Sequence, residues 1–342
     1  MWVDKSVAAA STAISAPAVA PSASGAFGYP MSMTDPTEEA VNLAVSERLP
    51  LWLRALSHLP WSVLYATGAC LAFIAHRVLR YRLSVVRANI AASFPELAPA
   101  ARRALERRYY RGLGELLAEV VKAATLERAE LLRRVSLPNL ELLRAELDAG
   151  RSLLLVGAHH GNWEWMLLAV SAQLGHPVDA AYKPLHGARG ERLMHAIRTR
   201  FGATLVPAKE LLAHTLRRRG ARALVMVADQ EPVSSEHKWW TQFLGRPTAF
   251  YMGPEKIAQA ARLTVMFAAV ERTARGRYRV EFQPITATRA PSTPGAVTER
   301  YARLVEAQVR ASPAEWTWSH RRWKLRRPLY GAGANALDQG SG

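Results

Sequence analysis

The chain has 342 residues, of which 49% are hydrophobic, so it is long enough for one large domain with a buried core. Its formal net charge of +17 indicates a polyanionic partner: a nucleic acid, an anionic membrane or a phosphorylated substrate. The single cysteine, Cys70, excludes a disulfide framework or a cysteine-based zinc site within one chain.

The first 45 residues are rich in Ala, Ser and Pro and show no hydrophobic periodicity. They contain one early lysine and no leucine-rich run, so they make a poor signal peptide. Such a composition buries too little apolar surface to fold, and we predict a disordered tail over residues 1–45.

An uncharged stretch, Ala55–His76, follows this tail and has 22 residues, enough to cross a bilayer. Arginines come directly after it, at Arg77, Arg80, Arg82 and Arg87, as expected on the cytoplasmic side of a membrane anchor. A buried core helix is the alternative, because His58 and Pro60 interrupt the apolar run. We predict a membrane-spanning or interfacial helix within a helical anchor and juxtamembrane region at residues 46–98.

The remainder of the chain predicts an α/β fold. Hydrophobic periodicity indicates helices over residues 99–124 and 139–148. Short apolar runs then alternate with helical stretches, and the predicted strands cover residues 152–158, 178–182, 203–208, 222–228, 263–271 and 278–284. This order predicts a central mixed, partly parallel sheet flanked by helices.

The segment LLLVGAHHGNWEW (153–165) carries the strongest chemical signal. A buried strand runs into a polar turn and a helix whose N-cap is Asn162, and chemistry in such sheets collects beyond the carboxyl ends of strands. We predict that His159 is a general base. Glu164 in the first helical turn would accept a hydrogen bond from one ring nitrogen, fix the tautomer and stabilise the imidazolium. The other ring nitrogen would then be free to take a proton.

Two other interpretations of these residues stay open at this point. The pair is also compatible with a structural histidine and a helix-start glutamate. A zinc site of His159, His160 and Glu164 is the second alternative, although the spacing is not that of H-E-x-x-H and a third ligand is not evident.

Further along, Trp316–Tyr330 mixes Trp with Arg and Lys, which predicts an interfacial membrane patch or, alternatively, a nucleic-acid surface.

The segment HHGNWEW (159–165) resembles the His-x4-Glu motif of the lysophospholipid acyltransferase superfamily, and most closely that of the lipid A biosynthesis late (lauroyl and myristoyl) acyltransferases. Five further blocks resemble this family in order and spacing. They are RANIAASFPE (87–96), YKPL (182–185) with Arg198 and RFG (200–202), VADQEP (227–232), FLGRPTAF (243–250) and EWTWSHRRWK (315–324). The resemblance covers roughly residues 50–327.

The resemblance implies acyl transfer from an acyl carrier protein thioester, or from acyl-CoA, to a hydroxyl of a lipid A precursor at the inner membrane. It implies catalysis by His159 and Glu164, no metal and no cofactor. The substrate-binding residues expected from it and from their positions are Asn162, Trp163, Lys183, Arg198, Asp229 and Gln230. The acyltransferase domain is expected at residues 99–330, with a flexible tail at 331–342.

Other functions are also compatible with the sequence. An acyltransferase of the same superfamily acting on another lipid or glycolipid is the first alternative. A basic nucleic-acid-binding protein is a remote one, and we expect an anionic membrane, not a nucleic acid, as the polyanionic partner.

Overall fold

A computed structural model describes residues 50–184, 187–233, 237–286 and 293–325. The predicted tails at 1–45 and 331–342 lie outside these residues. Within them, nine strands are formed: β1 Val135–Ser136, β2 Leu153–Gly157, β3 Val178–Tyr182, β4 Thr204–Pro207, β5 Ala223–Val227, β6 Lys238–Phe243, β7 Arg246–Tyr251, β8 Thr264–Ala274 and β9 Arg277–Pro284. Seven of these strands form one sheet in the order β1-β9-β8-β2-β5-β3-β4, parallel throughout except between β8 and β9.

Helices cover both faces of this sheet. Their bounds are α1 Leu51–His58, α2 Trp61–Phe73, α3 Leu83–Ser93, α4 Pro99–Ala123, α5 Arg128–Arg134, α6 Glu141–Asp148, α7 Trp163–Gln173, α8 Ala188–Arg198, α9 Leu211–Arg217, α10 Gly253–Ala261 and α11 Ala296–Ala311. A buried apolar cluster lies on each face, and β2 contributes to both because its side chains alternate between them. The predicted α/β fold with a mixed, partly parallel sheet flanked by helices is confirmed, and the sheet is mostly parallel.

The pairing of β2 with β5 positions the candidate site. The two strands are neighbours and parallel, and their register runs from Leu153 opposite Ala223 to Gly157 opposite Val227. Continuing that register two residues beyond the strands places His159 opposite Asp229. Both strands are buried along almost their whole length, which explains their continuous apolar sequences.

A hairpin of β6 and β7 was not predicted as strands. Its two-residue turn, Leu244 and Gly245, has positive φ at both positions, which is the turn geometry that matches the twist of a tight hairpin. The sequence FLGRPTAF therefore has a structural reason for its glycine. The hairpin packs on α11 through hydrogen bonds from Trp239 and Thr241 to Glu299.

The uncharged stretch predicted as one helix is broken in two. Pro60 lacks an N–H and precedes α2, so α1 ends at His58 and the chain bends. In the described part of the chain, no single helix is long and apolar enough to cross a membrane. Helix α1, Leu51–His58, and the helical stretch Trp61–Val78, which begins with α2, together have the length and composition to cross a membrane. They are bent by 111° relative to each other.

The second of these helices packs tightly on α4. Gly68 of α2 faces Gly114 of α4, and a Cβ on Gly68 would overlap the carbonyl oxygen of Gly114. Close backbone approach of this kind requires glycine at both positions. The contact makes α2 an integral part of the fold and not a free tether.

Candidate active site

His159 lies just beyond the carboxyl end of β2, and its carboxylate partner is Asp229, just beyond the end of β5. The ring Nδ1 of His159 is 2.6 Å from Oδ1 of Asp229, and the backbone N–H of His159 donates to the same oxygen at 3.0 Å. Because a carboxylate only accepts, the proton of the neutral ring resides on Nδ1. The lone pair of Nε2 then faces the cleft, where the side-chain amide nitrogen of Gln230 lies 3.3 Å away.

Asp229 is 2% exposed and is held by donors on both oxygens. The indole N–H of Trp316 donates to Oδ2 at 2.8 Å. Burial by itself would raise the pKa of Asp229, but the charge and hydrogen bonds of His159 and the Trp316 hydrogen bond outweigh it and lower the pKa to about 2. The carboxylate is therefore ionised at any physiological pH.

Glu164 does not occupy the position predicted for it. Its two oxygens accept a bidentate pair from the Arg198 guanidinium, at 2.5 and 2.8 Å, and a hydrogen bond from the Trp163 indole at 3.2 Å. The predicted hydrogen bond from the His159 ring to Glu164 was wrong, since Asp229 takes that place. Glu164 points from the first turn of α7 toward the end of α8, where the guanidinium fork matches its carboxylate.

His160 points away from the cleft and into the protein. It is 1% exposed, and its ring nitrogens lie 3.2 Å from the Val270 carbonyl oxygen and 3.0 Å from that of Ser312. Burial lowers the pKa of His160 to about 4, so the ring is neutral at pH 7. The zinc alternative loses its support because His160 and Glu164 diverge from His159. Among the described residues no group of three His, Cys, Asp or Glu side chains is placed to hold a metal ion.

Asn162 shapes the turn and does not line the cleft. Its Oδ1 accepts from the backbone N–H of Trp165 at 2.9 Å, so the predicted N-cap of α7 is confirmed. Its Nδ2 donates to the fully buried Glu119 at 2.8 Å. Glu119 also accepts from the hydroxyls of Tyr278 and Tyr65, which ties the turn to β9 and to α2.

A cleft of about 490 Å³ opens beside His159. Its deeper wall is apolar and comprises Met166, Leu167, Ala180, Leu205 and Val225. Its polar lining comprises His159, Glu164, Lys183, Arg198, Gln230 and Glu231, and Trp163 lies edge-on to the His159 ring at 5.1 Å. Of the predicted substrate-binding residues, Trp163, Lys183, Arg198 and Gln230 line the cleft, and Asp229 lies behind His159.

The C-terminal segment from Trp316 to Lys324 has three buried side chains, whereas Arg321 and Lys324 are exposed. Trp316, Trp318 and Arg322 are at most 2% exposed, so the prediction of an interfacial patch was wrong for these three. Within this segment Trp316 donates to Asp229, Thr317 donates to the backbone oxygen of His159, and Arg322 donates to that of Ala249 in β7. Arg326, Arg327 and Tyr330 lie outside the described residues.

Fold and site together define a class: an α/β enzyme in which a buried carboxylate supports a histidine at the mouth of an apolar cleft. The sequence model of the family described as bacterial lipid A biosynthesis acyltransferase matches residues 50–325. The chain belongs to this family and is an acyltransferase, so the resemblance drawn from the motifs is confirmed and the nucleic-acid alternative falls away.

Curated relatives agree with the family. The chain is 23% identical over 279 residues to the lipid A biosynthesis palmitoleoyltransferase of Escherichia coli (strain K12), covering 81% of this chain and 89% of that protein. Identity and coverage are the same for the lipid A biosynthesis acyltransferase of Shigella flexneri. The lipid A biosynthesis lauroyltransferase of Escherichia coli (strain K12) is 22% identical over 277 residues, again covering 81% and 89%.

Proposed function

We propose that this acyltransferase moves a fatty acyl group from an acyl carrier protein thioester to a hydroxyl of a lipid A precursor, with His159 as general base. One observation carries the mechanism. His159 has Nδ1 committed to a buried, ionised Asp229 and Nε2 directed at a cleft that is apolar in its depth. This is the arrangement that a base needs to deprotonate a hydroxyl beside an acyl chain.

The chemical step needs no covalent enzyme intermediate, because a thioester is already activated. Nε2 of His159 takes the proton of the acceptor hydroxyl as its oxygen attacks the thioester carbonyl carbon. The carbon–sulfur bond then breaks, and the imidazolium returns the proton to the departing thiolate. Asp229 stabilises the imidazolium and keeps its own negative charge throughout.

The start of α7 provides donors for the oxyanion. Met166 makes the first intrahelical hydrogen bond, to the carbonyl of Asn162, so the backbone N–H groups of Trp163 and Glu164 precede it. The positive end of the helix dipole also lies beside His159. In this proposal these groups stabilise the negative oxygen of the tetrahedral intermediate.

The apolar depth of the cleft would receive the acyl chain, and its polar rim the head groups. Lys183 is exposed at the rim, where an ammonium can pair with a phosphate of either substrate. Arg198 is already paired with Glu164, so its proposed part is to keep that carboxylate in place rather than to bind phosphate directly. Glu164 lines the cleft beside Trp163, and its proposed part is to shape the site.

Location at the cytoplasmic face of an inner membrane is part of the proposal. Large apolar side chains of the anchor region stand in solvent: Trp52 is 65%, Phe73 62%, Val78 65% and Leu79 71% exposed. Arg77, Arg80 and Arg82 lie among or just after them and are exposed. Apolar side chains bordered by arginines match an anionic bilayer surface. The 111° bend favours helices that lie in the interface.

The test is an assay of the purified full-length protein with a lipid A precursor, using acyl-carrier-protein and acyl-CoA donors in parallel. Mass spectrometry of the product identifies the acceptor and the added chain. We expect one additional ester-linked acyl chain and a preference for the carrier-protein donor. His159→Ala should lower the rate by at least about 100-fold, the usual contribution of a general base.

Two results would contradict the proposal. A His159→Ala protein with near-normal rate would remove the general base. A product acylated on a different lipid or glycolipid, with no reaction on the lipid A precursor, would replace the acceptor. His58→Ala is the matched control, because His58 is an exposed histidine at the end of α1.

A further inference from the structure

We infer that Trp316 is a positioning residue for the proposed general base: its indole N–H holds the carboxylate that orients His159. The inference rests on the proposed function of His159. The two oxygens of Asp229 face different partners. Oδ1 accepts from the backbone N–H and Nδ1 of His159, at 3.0 and 2.6 Å, and Oδ2 accepts from Nε1 of Trp316 at 2.8 Å.

The hydrogen bond from Trp316 matters because the terminal torsion of an aspartate is soft. Rotation of the carboxylate about its Cβ–Cγ bond has broad minima, so donors on one oxygen alone leave its plane poorly defined. A donor on Oδ2 removes that freedom and keeps Oδ1 aligned with Nδ1 of His159. Precise alignment of this kind is what a supporting residue contributes to a catalytic group.

Trp316 is itself immobilised by aromatic neighbours. It is 2% exposed, and its ring lies 4.7 Å from that of Trp318, 5.7 Å from Phe243 and 6.0 Å from Trp323, edge-on in each case. Edge-to-face packing on three rings leaves the indole a single orientation. The N–H is therefore aimed by packing rather than by its hydrogen bond to Asp229 alone.

The backbone around Trp316 holds the catalytic turn as well. Trp316 forms an isolated antiparallel bridge with His160, and the N–H of Gly161 donates to the Glu315 carbonyl at 3.0 Å. The Thr317 hydroxyl donates to the His159 carbonyl at 3.0 Å. One short segment thus holds both the backbone of His159 and the carboxylate behind its ring, which makes Trp316 the link between the two.

The experiment compares Trp316→Phe with Trp318→Phe in the detergent-solubilised full-length enzyme. Phenylalanine keeps an aromatic ring but removes the N–H. Trp318 is the matched control, because its indole is buried in the same cluster and donates to the Pro313 carbonyl, not to Asp229. We expect Trp316→Phe to lower kcat roughly tenfold, as for loss of one hydrogen bond to a charged group, with KM unchanged.

The pH profile separates positioning from packing. Without the Trp316 donor the Asp229 carboxylate loses a stabilising hydrogen bond and its fixed alignment with Nδ1 of His159. Because this carboxylate supports the ring that accepts the proton, the acid limb of kcat against pH should move in Trp316→Phe. Trp318→Phe should keep the wild-type limb. Trp316→His, which retains a ring N–H, should recover part of the lost kcat.

Three results would contradict either the inference or the proposed function. Wild-type kcat and acid limb in Trp316→Phe, with His159→Ala inactive, would overturn the inference and leave the general base standing. Equal losses and equal limbs in Trp316→Phe and Trp318→Phe would also overturn it, because packing alone would then explain the effect. An active His159→Ala protein would instead overturn the proposed function.

Discussion

The turn after β2, residues 159–162, and the N-terminal helices depart from the usual burial of side chains in opposite directions. Around the turn, polar side chains are inside: Asp229, Glu164 and Glu119 are at most 5% exposed. On α1, on α2 and just after α2, large apolar side chains are outside, with Phe73 and Leu79 at 62% and 71% exposure. The usual tendency is the reverse in both cases.

This difference in burial indicates that the polar groups of the turn have their partners inside the protein, whereas, among the described residues, the exposed apolar groups do not. Every buried carboxylate at the turn has donors within the protein, and such pairing is what makes a buried charge tolerable. The exposed apolar groups have no such cover in the described chain. Substitutions at the turn should therefore change activity and stability in detergent solution, whereas substitutions on the exposed apolar face should change only attachment to a bilayer.

The largest effect is expected at the contact between α2 and α4. In Gly68→Leu the new side chain meets the backbone of Gly114, which cannot move aside, so we expect a loss of at least about 3 kcal/mol in the free energy of unfolding. Denaturant unfolding of the detergent-solubilised protein measures it. Gly190→Ala in α8 is the control, because nothing lies within 4 Å of the added Cβ there, and a helical glycine replaced by alanine gains up to about 1 kcal/mol. Wild-type stability in Gly68→Leu would mean that α2 does not pack on α4.

The next effect compares the two carboxylates of the site. Asp229→Asn offers an N–H to Nδ1 of His159, which favours the tautomer with the proton on Nε2 and removes the base. We expect kcat to fall by at least about 100-fold, or about 2.7 kcal/mol, with little change in KM. Glu164→Gln should cost less, because Asp229 and not Glu164 is bonded to the His159 ring, and Gln keeps the shape of the side chain and one of the two oxygens that accept from Arg198. A greater loss in Glu164→Gln than in Asp229→Asn would restore Glu164 as the partner of His159.

Most of the sheet could be predicted from the sequence, because its strands are buried and apolar. The predicted strand at 178–182 has the bounds of β3, and the predicted helix at 99–124 differs from α4 by one residue. Both His159 and Asp229 were identified as residues after strands. Their partnership was not, because it depends on β2 lying beside β5, and no local pattern determines the order of strands in a sheet.

Glu164 was predicted as the partner of the His159 ring because the two residues are close in the sequence. Helix α7 carries Glu164 toward Arg198 instead, and the carboxylate that reaches the ring comes from 70 residues downstream. Trp316 could be found even less easily, since a Trp beside Arg and Lys is equally typical of a membrane interface. The break at Pro60, by contrast, could have been predicted from the residue itself.

A smaller effect concerns the adjacent histidines of the turn. The pKa of buried His160 is lowered to about 4, whereas an unfolded chain binds the proton near pH 6.5. Between these values the unfolded state holds more protons at this residue, so the contribution of His160 to the free energy of unfolding falls as pH decreases from 6.5 to 4, by at most about 3 kcal/mol. His160→Gln should flatten this part of the curve of stability against pH, measured by thermal unfolding, while exposed His58→Gln should leave it unchanged. An unaltered slope in His160→Gln would contradict the burial of a neutral ring.

The smallest effect on the fold is expected on the exposed apolar face. Phe73→Ser combined with Leu79→Ser removes two side chains that make few contacts within the protein, so the free energy of unfolding should change by less than about 0.5 kcal/mol. Each side chain transferred into lipid contributes about 1.5–3 kcal/mol, so affinity for anionic vesicles should fall by at least about 100-fold. Flotation of the purified protein with vesicles at high salt measures this and suppresses simple charge adsorption. Leu216→Ser on α9 is the control, because Leu216 is also exposed, at 60%, but lies far along the chain from α1 and α2. Equal vesicle binding by the double variant and the Leu216 variant would show that the exposed apolar side chains of the anchor region do not enter the bilayer.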